Sequence, residues 1–101
     1  MKRTHDISKL FDIKNRNIVI TGSSGLLGSQ YANTLSAAGA NVILVDLDST
    51  KNKNLERSLR KKYRTRARSY TTDISNLQEV KKLAKNVLRD FKKMSNFIYV
   101  C

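Results

Sequence analysis

The apolar positions of the chain fall into two kinds of run. Ile18-Val19-Ile20-Thr21 and Val42-Ile43-Leu44-Val45 are short, unbroken and largely β-branched. They predict strands, the second covered on both faces as in a parallel sheet. Elsewhere the apolar residues are spaced as on helices. Leu27, Tyr31, Leu35 and Ala38 follow the four-residue step of one helix face, which Gly39 ends. Leu55, Leu59 and Tyr63 form a narrow stripe on an otherwise basic helix, with its N-cap expected at Ser49 or Thr50. Leu77, Val80, Ala84, Val87, Leu88 and Phe91 keep one apolar face over a longer helix. Ser75, with Gln78 three residues later, gives that helix a capping-box start. Residues 68–72 and the run Phe97-Ile98-Tyr99-Val100 are further strand candidates.

Strand, helix, strand, helix, strand, helix, strand is the order of a parallel α/β sheet with right-handed crossovers. The expected fold is α/β: the N-terminal half of a Rossmann-like doubly wound parallel sheet, with about four strands and three helices. One domain is expected over residues 1–101, residues 1–9 forming an arm ahead of it.

Charge at first suggests a different partner. The chain has 20 Lys and Arg against 8 Asp and Glu, a net charge of +12. Such a balance points to nucleic acid when it covers a whole surface. Here residues 21–50 hold no Lys or Arg, and residues 51–101 hold fifteen basic residues against four acids. The basic residues lie on the polar sides of two amphipathic helices, so no specific nucleic-acid function is expected. No apolar run approaches the ~20 residues of a membrane span. The single Cys, Cys101, excludes an internal disulfide or a cysteine zinc cluster, and a reducing, cytoplasmic compartment is the default. No metal site is expected. His5 has no acid or nucleophile beside it in sequence and is assigned no role.

The candidate chemistry lies between the first strand and the first helix. Thr21-Gly22-Ser23-Ser24-Gly25-Leu26-Leu27-Gly28 places three glycines in a strand–loop–helix context. The first permits a tight turn, the second lets backbone approach a pyrophosphate, and the third lets helix pack on strand. Free N–H groups and the positive helix end then face the phosphates. Asp46 closes the second strand 18 residues after Gly28, near the ~20-residue interval of an acid that binds ribose hydroxyls. The bland alternative is a turn and a capped strand end. The elements nevertheless occur in the order that dinucleotide binding requires. A carboxylate accepts hydrogen bonds from a ribose diol and repels a 2′-phosphate, and no Arg follows within two residues. NAD is therefore expected over NADP. Expected cofactor contacts are Gly22, Ser24, Gly25, Leu26, Leu27, Gly28, Asp46 and Leu47.

With these residues placed, the chain resembles the short-chain dehydrogenase/reductase family over roughly residues 10–93. The resemblance is carried by Leu10-Phe11-Asp12-Ile13-Lys14, the glycine segment, Gly39-Ala40-Asn41-Val42 leading to Asp46, and Thr72-Asp73-Ile74-Ser75. It implies NAD(P)-dependent oxidoreduction and adds Asp73 and Ile74 as cofactor contacts. Asp73 is equally readable as a residue that helps start the following helix. The glycine spacing T-G-x-x-G-x-x-G, with Leu26 where the single-domain branch has Gly, is similar to the branch acting on nucleotide sugars. An epimerase or dehydratase fragment is thus one alternative, and a non-enzymatic nucleotide- or RNA-binding module another.

The family's Tyr-x-x-x-Lys pair is absent. Four residues after Tyr31, Tyr63 and Tyr70 stand Leu35, Ala67 and Ile74, and Tyr99 is two residues from the end. The family's Asn-Asn-Ala-Gly segment is absent too. No catalytic residue is assigned, and this chain alone is expected to be inactive, with a small-molecule substrate only in a full-length relative. The segment 92–101 departs from the family just before the fourth strand, as a truncated or frameshifted product would. The edge of that strand is an expected aggregation hazard, and stability is expected to be marginal.

Overall fold

The computed structural model describes residues 13–91 and the strand Phe97–Val100. Residues 1–9, expected to form an arm, the family-like residues 10–12, the segment 92–96 and Cys101 lie outside the described residues. Seven elements alternate along the chain: β1 (Asn17–Thr21), α1 (Leu26–Ala37), β2 (Asn41–Asp46), α2 (Ser49–Lys62), β3 (Ala67–Thr71), α3 (Leu77–Phe91) and β4 (Phe97–Val100). The strands form one sheet in the order β3-β2-β1-β4, and every pairing is parallel. This is the α/β, Rossmann-like arrangement expected from the alternation of runs.

Side chains alternate across the sheet because successive residues of a strand point to opposite faces. Ile18, Ile20, Val42, Leu44 and Ala67 face Ala32 of α1 and Leu59 of α2, with Leu35, Leu55 and Tyr63 packed alongside. Val19, Ile43, Val45 and Tyr70 face Leu83, Val87 and Phe91 of α3. β2 is covered on both sides, which explains its unbroken apolar run.

Expectations about two helix surfaces are corrected. In α1 the buried stripe is Gly28, Ala32 and Ser36, while Leu27 and Tyr31 are exposed. The small residues let α1 lie close on β1, and that approach outweighs the larger apolar area of the neighbouring face. In α3, Val87 and Phe91 are buried and Leu83 packs with them. Leu77 is 65% exposed, Leu88 lies at the surface and so does Ala84. The caps also move. Asp48, not Ser49 or Thr50, caps α2, its carboxylate accepting from the Lys51 N–H at 3.0 Å. At α3 the Asn76 side chain accepts from the N–H groups of Gln78 and Glu79. The Ser75 hydroxyl instead donates to Asp73 at 2.6 Å. In both cases a side chain one residue off the expected position reaches the free N–H groups of the first turn.

The basic residues Lys51, Lys53, Arg57, Arg60, Lys61 and Lys62 of α2 are all exposed, as are Lys81, Lys82, Lys85 and Arg89 of α3. α2 also covers the outer edge of β3. The Glu56 carboxylate accepts from the Ser69 N–H, and the Arg60 guanidinium donates to the Ala67 carbonyl at 2.8 Å. These side chains occupy backbone groups that a further strand would otherwise pair with. On the opposite sheet face, the Tyr70 hydroxyl donates to Asp90 of α3 at 2.7 Å. Arg68 and Arg89 approach the same carboxylate at 3.4 and 3.2 Å. Among the described residues no helix is long and apolar enough to cross a membrane.

Candidate functional site

The C-terminal ends of β1, β2 and β3 bring the sequence-predicted residues to one side of the sheet. β1 runs into the turn at Gly22, whose φ is +65° and whose Cβ position would project into open space. A side chain would fit there, but the left-handed backbone favours glycine. At Gly28 the constraint is space. A Cβ would stand 2.2 Å from the Gly22 carbonyl oxygen and 2.9 Å from the Cα of Ser23. The turn and packing roles expected of the first and third glycines are thus present in the backbone. At Gly25 a Cβ would meet only the Gly22 carbonyl oxygen, at 3.3 Å.

The loop is bonded on its inner side and open at the start of α1. Ser23 N–H donates to the Val45 carbonyl at 3.2 Å, and Gly25 N–H to the Gly22 carbonyl at 3.1 Å. α1 starts at an N-cap, Gly25, that provides no side-chain bond, and its first turn holds no acid. The first bond inside the helix comes from Ser29 N–H to the Gly25 carbonyl at 2.9 Å. Among the described residues the N–H groups of Leu26, Leu27 and Gly28 have no acceptor. Three free donors at a positive helix end are an arrangement that suits an anion.

Asp46 is turned toward this loop. One carboxylate oxygen accepts from the Ser24 N–H at 2.9 Å and the other from the Asp48 N–H at 3.0 Å. Partial burial pushes the carboxyl pKa up. The Asp48 N–H, the Ser24 hydroxyl and the Ser24 N–H outweigh that push and hold it below the ordinary value. The group is ionised at neutral pH, with lone pairs left to accept from a diol. The Asp46 carbonyl accepts from the Thr72 N–H at 3.0 Å, which ties the end of β2 to the turn after β3.

In that turn, Asp73 accepts from both the hydroxyl and the N–H of Ser75, and these bonds hold its pKa below the ordinary value. Its own N–H donates to Glu79 at 3.0 Å. Asp73 thus closes a turn with Ser75 ahead of α3, while the first-turn N–H groups of α3 are met by Asn76. Leu26, Leu27, Leu47 and Ile74 are all exposed, as apolar residues available to a ligand must be.

Two residues outside the sequence-predicted set belong to this region. Ser23 is fully buried, and its hydroxyl donates to the Asn52 side-chain oxygen at 2.6 Å. Asn52, also fully buried, donates to the Leu44 carbonyl at 2.9 Å. The sequence carries a signal for Asn52. It stands three residues before Leu55 and seven before Leu59, so it continues the apolar stripe of α2 with a polar residue.

The set fits a dinucleotide. Free helix N–H groups suit phosphates, an ionised acid one strand away suits a ribose diol, and the space at Gly22 is open. Among the described residues no group of three or more His, Cys, Asp or Glu could hold a metal ion.

Comparison with known proteins points the same way. The family model described as short chain dehydrogenase matches residues 16–99. An NADP-dependent mannitol dehydrogenase of Alternaria alternata is 27% identical over 99 residues, covering 92% of this chain and 36% of that protein. A short chain dehydrogenase/reductase, notP′, of Aspergillus versicolor is 46% identical over 44 residues, 44% of this chain and 15% of that one. Among solved structures, NAD+-bound xylitol dehydrogenase superposes with a TM-score of 0.76 at 29% identity, covering 81% of this chain and 31% of that one. The L-sorbose reductase of Gluconobacter frateurii, complexed with NADPH and L-sorbose, gives 0.77 at 27% identity, covering 80% and 31%. The chain thus spans about a third or less of the length of the curated relatives it matches. All four are named as dehydrogenases or reductases, and none of the names mentions a nucleotide sugar.

Proposed function

The chain belongs to the short chain dehydrogenase family, and from that premise we propose that it is the dinucleotide-binding portion of an NAD(P)-dependent oxidoreductase. Its own residues bind the adenosine and pyrophosphate of the cofactor. The observation that carries this reading is the pairing of a glycine loop, with free N–H groups at Leu26, Leu27 and Gly28, with the ionised Asp46 bonded to that same loop. Bound there, a nicotinamide dinucleotide supplies or accepts the hydride. The free N–H groups of Leu26, Leu27 and Gly28 hold the pyrophosphate, with Gly22, Ser24 and Gly25 lining its approach. Asp46 accepts from the ribose hydroxyls, and Leu47, Asp73 and Ile74 lie toward the adenine.

NAD is proposed over NADP because the Asp46 carboxylate repels a 2′-phosphate. The named relatives divide on this point, one being NAD+-bound and another in complex with NADPH, so Asp46 itself carries the preference. The chain has no Tyr-x-x-x-Lys pair, and residues 1–101 are proposed to bind cofactor without catalysing hydride transfer. For the whole protein, the names mannitol dehydrogenase, xylitol dehydrogenase and L-sorbose reductase support a polyol or ketose substrate, and the single Cys keeps a reducing cytosol as the default compartment. No metal, membrane or specific nucleic-acid partner enters this reading.

Fluorescence titration of the purified chain tests it. NADH is expected to bind at least tenfold more tightly than NADPH, and Gly25→Val, which fills the phosphate approach, is expected to abolish binding. Tighter binding of NADPH would overturn the NAD preference. Absence of NADH binding would overturn the cofactor site, and turnover with a polyol or ketose panel would overturn the assignment of no catalysis.

A further inference from the structure

α2 buries two residues, Leu59 and Asn52, and the second calls for a physical reason. Burying a primary amide costs free energy unless its hydrogen-bonding groups are satisfied, and an apolar residue of similar shape would extend the Leu55–Leu59 stripe at no such cost. Asn52 is satisfied at both ends. Its amide nitrogen donates to the Leu44 carbonyl at 2.9 Å, two residues before Asp46 on β2. Its oxygen accepts from the Ser23 hydroxyl at 2.6 Å, inside the glycine loop. One side chain thus bridges the strand that presents the acid and the loop that presents the free N–H groups.

Ser23 is held from three sides. Its hydroxyl meets Asn52, its N–H meets the Val45 carbonyl, and its Cα lies 2.9 Å from the position a Cβ on Gly28 would take. The next residue, Ser24, donates its N–H to Asp46 at 2.9 Å. A rotation of the loop that freed Ser23 would therefore also move the Ser24–Asp46 bond and redirect the start of α1.

We propose that Asn52 is a positioning residue for the dinucleotide site. Through the Ser23 hydroxyl it holds the glycine loop where Ser24 meets Asp46 and the N–H groups of Leu26, Leu27 and Gly28 open together toward one anion. It touches no ligand. The inference rests on reading the loop as a cofactor site, and it names the contact that sets the geometry of that site.

The test uses the full chain with Asn52→Leu, Ser23→Ala and the double variant. Each is read by amide hydrogen exchange at Ser23 and Ser24, by NADH titration and by thermal melting. Either single variant leaves a buried polar atom without its partner and should lower the melting temperature. The double variant removes both partners and should recover most of that loss. Exchange at Ser23 and Ser24 is expected to rise about tenfold in all three variants, and the NADH dissociation constant to rise by a similar factor. Affinity should stay weakened in the double variant even as stability returns. Unchanged exchange at the two loop amides would overturn the proposal. So would NADH affinity that recovers together with melting temperature, since that is what a purely packing role gives. Should Asn52→Leu not fold, Ser23→Ala decides the same question by removing one oxygen atom. Failure of the unsubstituted chain to bind NADH would overturn the cofactor reading alone, while exchange measured without ligand still decides whether Asn52 holds the loop.

Discussion

Replacing Gly28 with Ala sets two effects of opposite sign against each other. Gly28 is in the first turn of α1, and Ala at a helix position is favoured over Gly by up to ~1 kcal/mol. The added methyl would stand 2.2 Å from the Gly22 carbonyl oxygen, where ordinary contact begins at 3.4 Å. α1 or the loop must therefore retreat by about 1.2 Å, the difference between those two distances. The groups it meets are backbone, and the same carbonyl accepts the Gly25 N–H at 3.1 Å, so retreat disturbs the turn itself. Overpacking of this kind costs ~1–3 kcal/mol. Because backbone cannot rotate away, the upper part of that range applies, for a net loss of about 2 kcal/mol after the helix gain. In a domain of this size that lowers the melting temperature by roughly 8–16 °C. Circular dichroism melts and urea titrations of the chain and of Gly28→Ala measure it. Gly25→Ala is the control, since its Cβ meets a single atom at 3.3 Å. Gly22→Ala should fall between them, its Cβ in open space but its φ at +65°, a conformation costing ~1–2 kcal/mol. A melting temperature of Gly28→Ala equal to or above that of the unsubstituted chain would refute the close approach of α1 to β1.

Three further outcomes follow from the charges and edges. The folded pKa of Asp46 lies below its ordinary value, because the hydrogen bonds from Asp48 and Ser24 outweigh the burial that raises it. Its stabilising contribution is therefore full above the ordinary carboxylate range and lost as pH falls through the folded pKa. NADH affinity should be flat from about pH 8 to 5 as far as this group is concerned, and Asp46→Asn should weaken NADH about tenfold while narrowing the gap to NADPH; an unchanged ratio would count against Asp46 as the selecting group. Burial, the hydrogen bond to Asp90 and the negative charge of that carboxylate all raise the pKa of Tyr70. A group raised in the folded state stabilises below its unfolded pKa, ~10 for Tyr, and loses that contribution as pH climbs above it. Absorbance titration should show one late-ionising tyrosine that is missing in Tyr70→Phe, and the same late step in the variant would refute the assignment. Finally, Glu56→Ala combined with Arg60→Ala uncovers the β3 backbone at Ser69 and Ala67. It should cost stability by no more than about 1 kcal/mol while increasing light scattering at high concentration, and unchanged scattering would show that the edge needs no cover.

Much of the fold was legible because its signals are local. A strand buried on both faces must be apolar at every position, so Val42-Ile43-Leu44-Val45 reads as one without reference to its neighbours. The glycine loop is legible for a similar reason, since a left-handed turn at Gly22 and a close approach at Gly28 are demands that glycine meets best. Asp46 follows because it ends that strand. The caps were less legible. The apolar stripe of α2 points to Ser49 or Thr50, whereas the cap bond is made one residue earlier by Asp48, from extended backbone.

The order of elements, the parallel sheet, the loop and the acid are all signalled by residues close together along the chain. Tertiary packing sets which face of α1 is buried. Counted by apolar size, Leu27 and Tyr31 belong inside, yet the sheet takes Gly28, Ala32 and Ser36 because the helix must come within a backbone's distance of the loop. It also decided that Asn52, a polar residue on an apolar stripe, meets Ser23 from 29 residues away. Hydrogen bonds of that reach form only once β2 has been laid beside β1 and α2 folded back over β2 and β3.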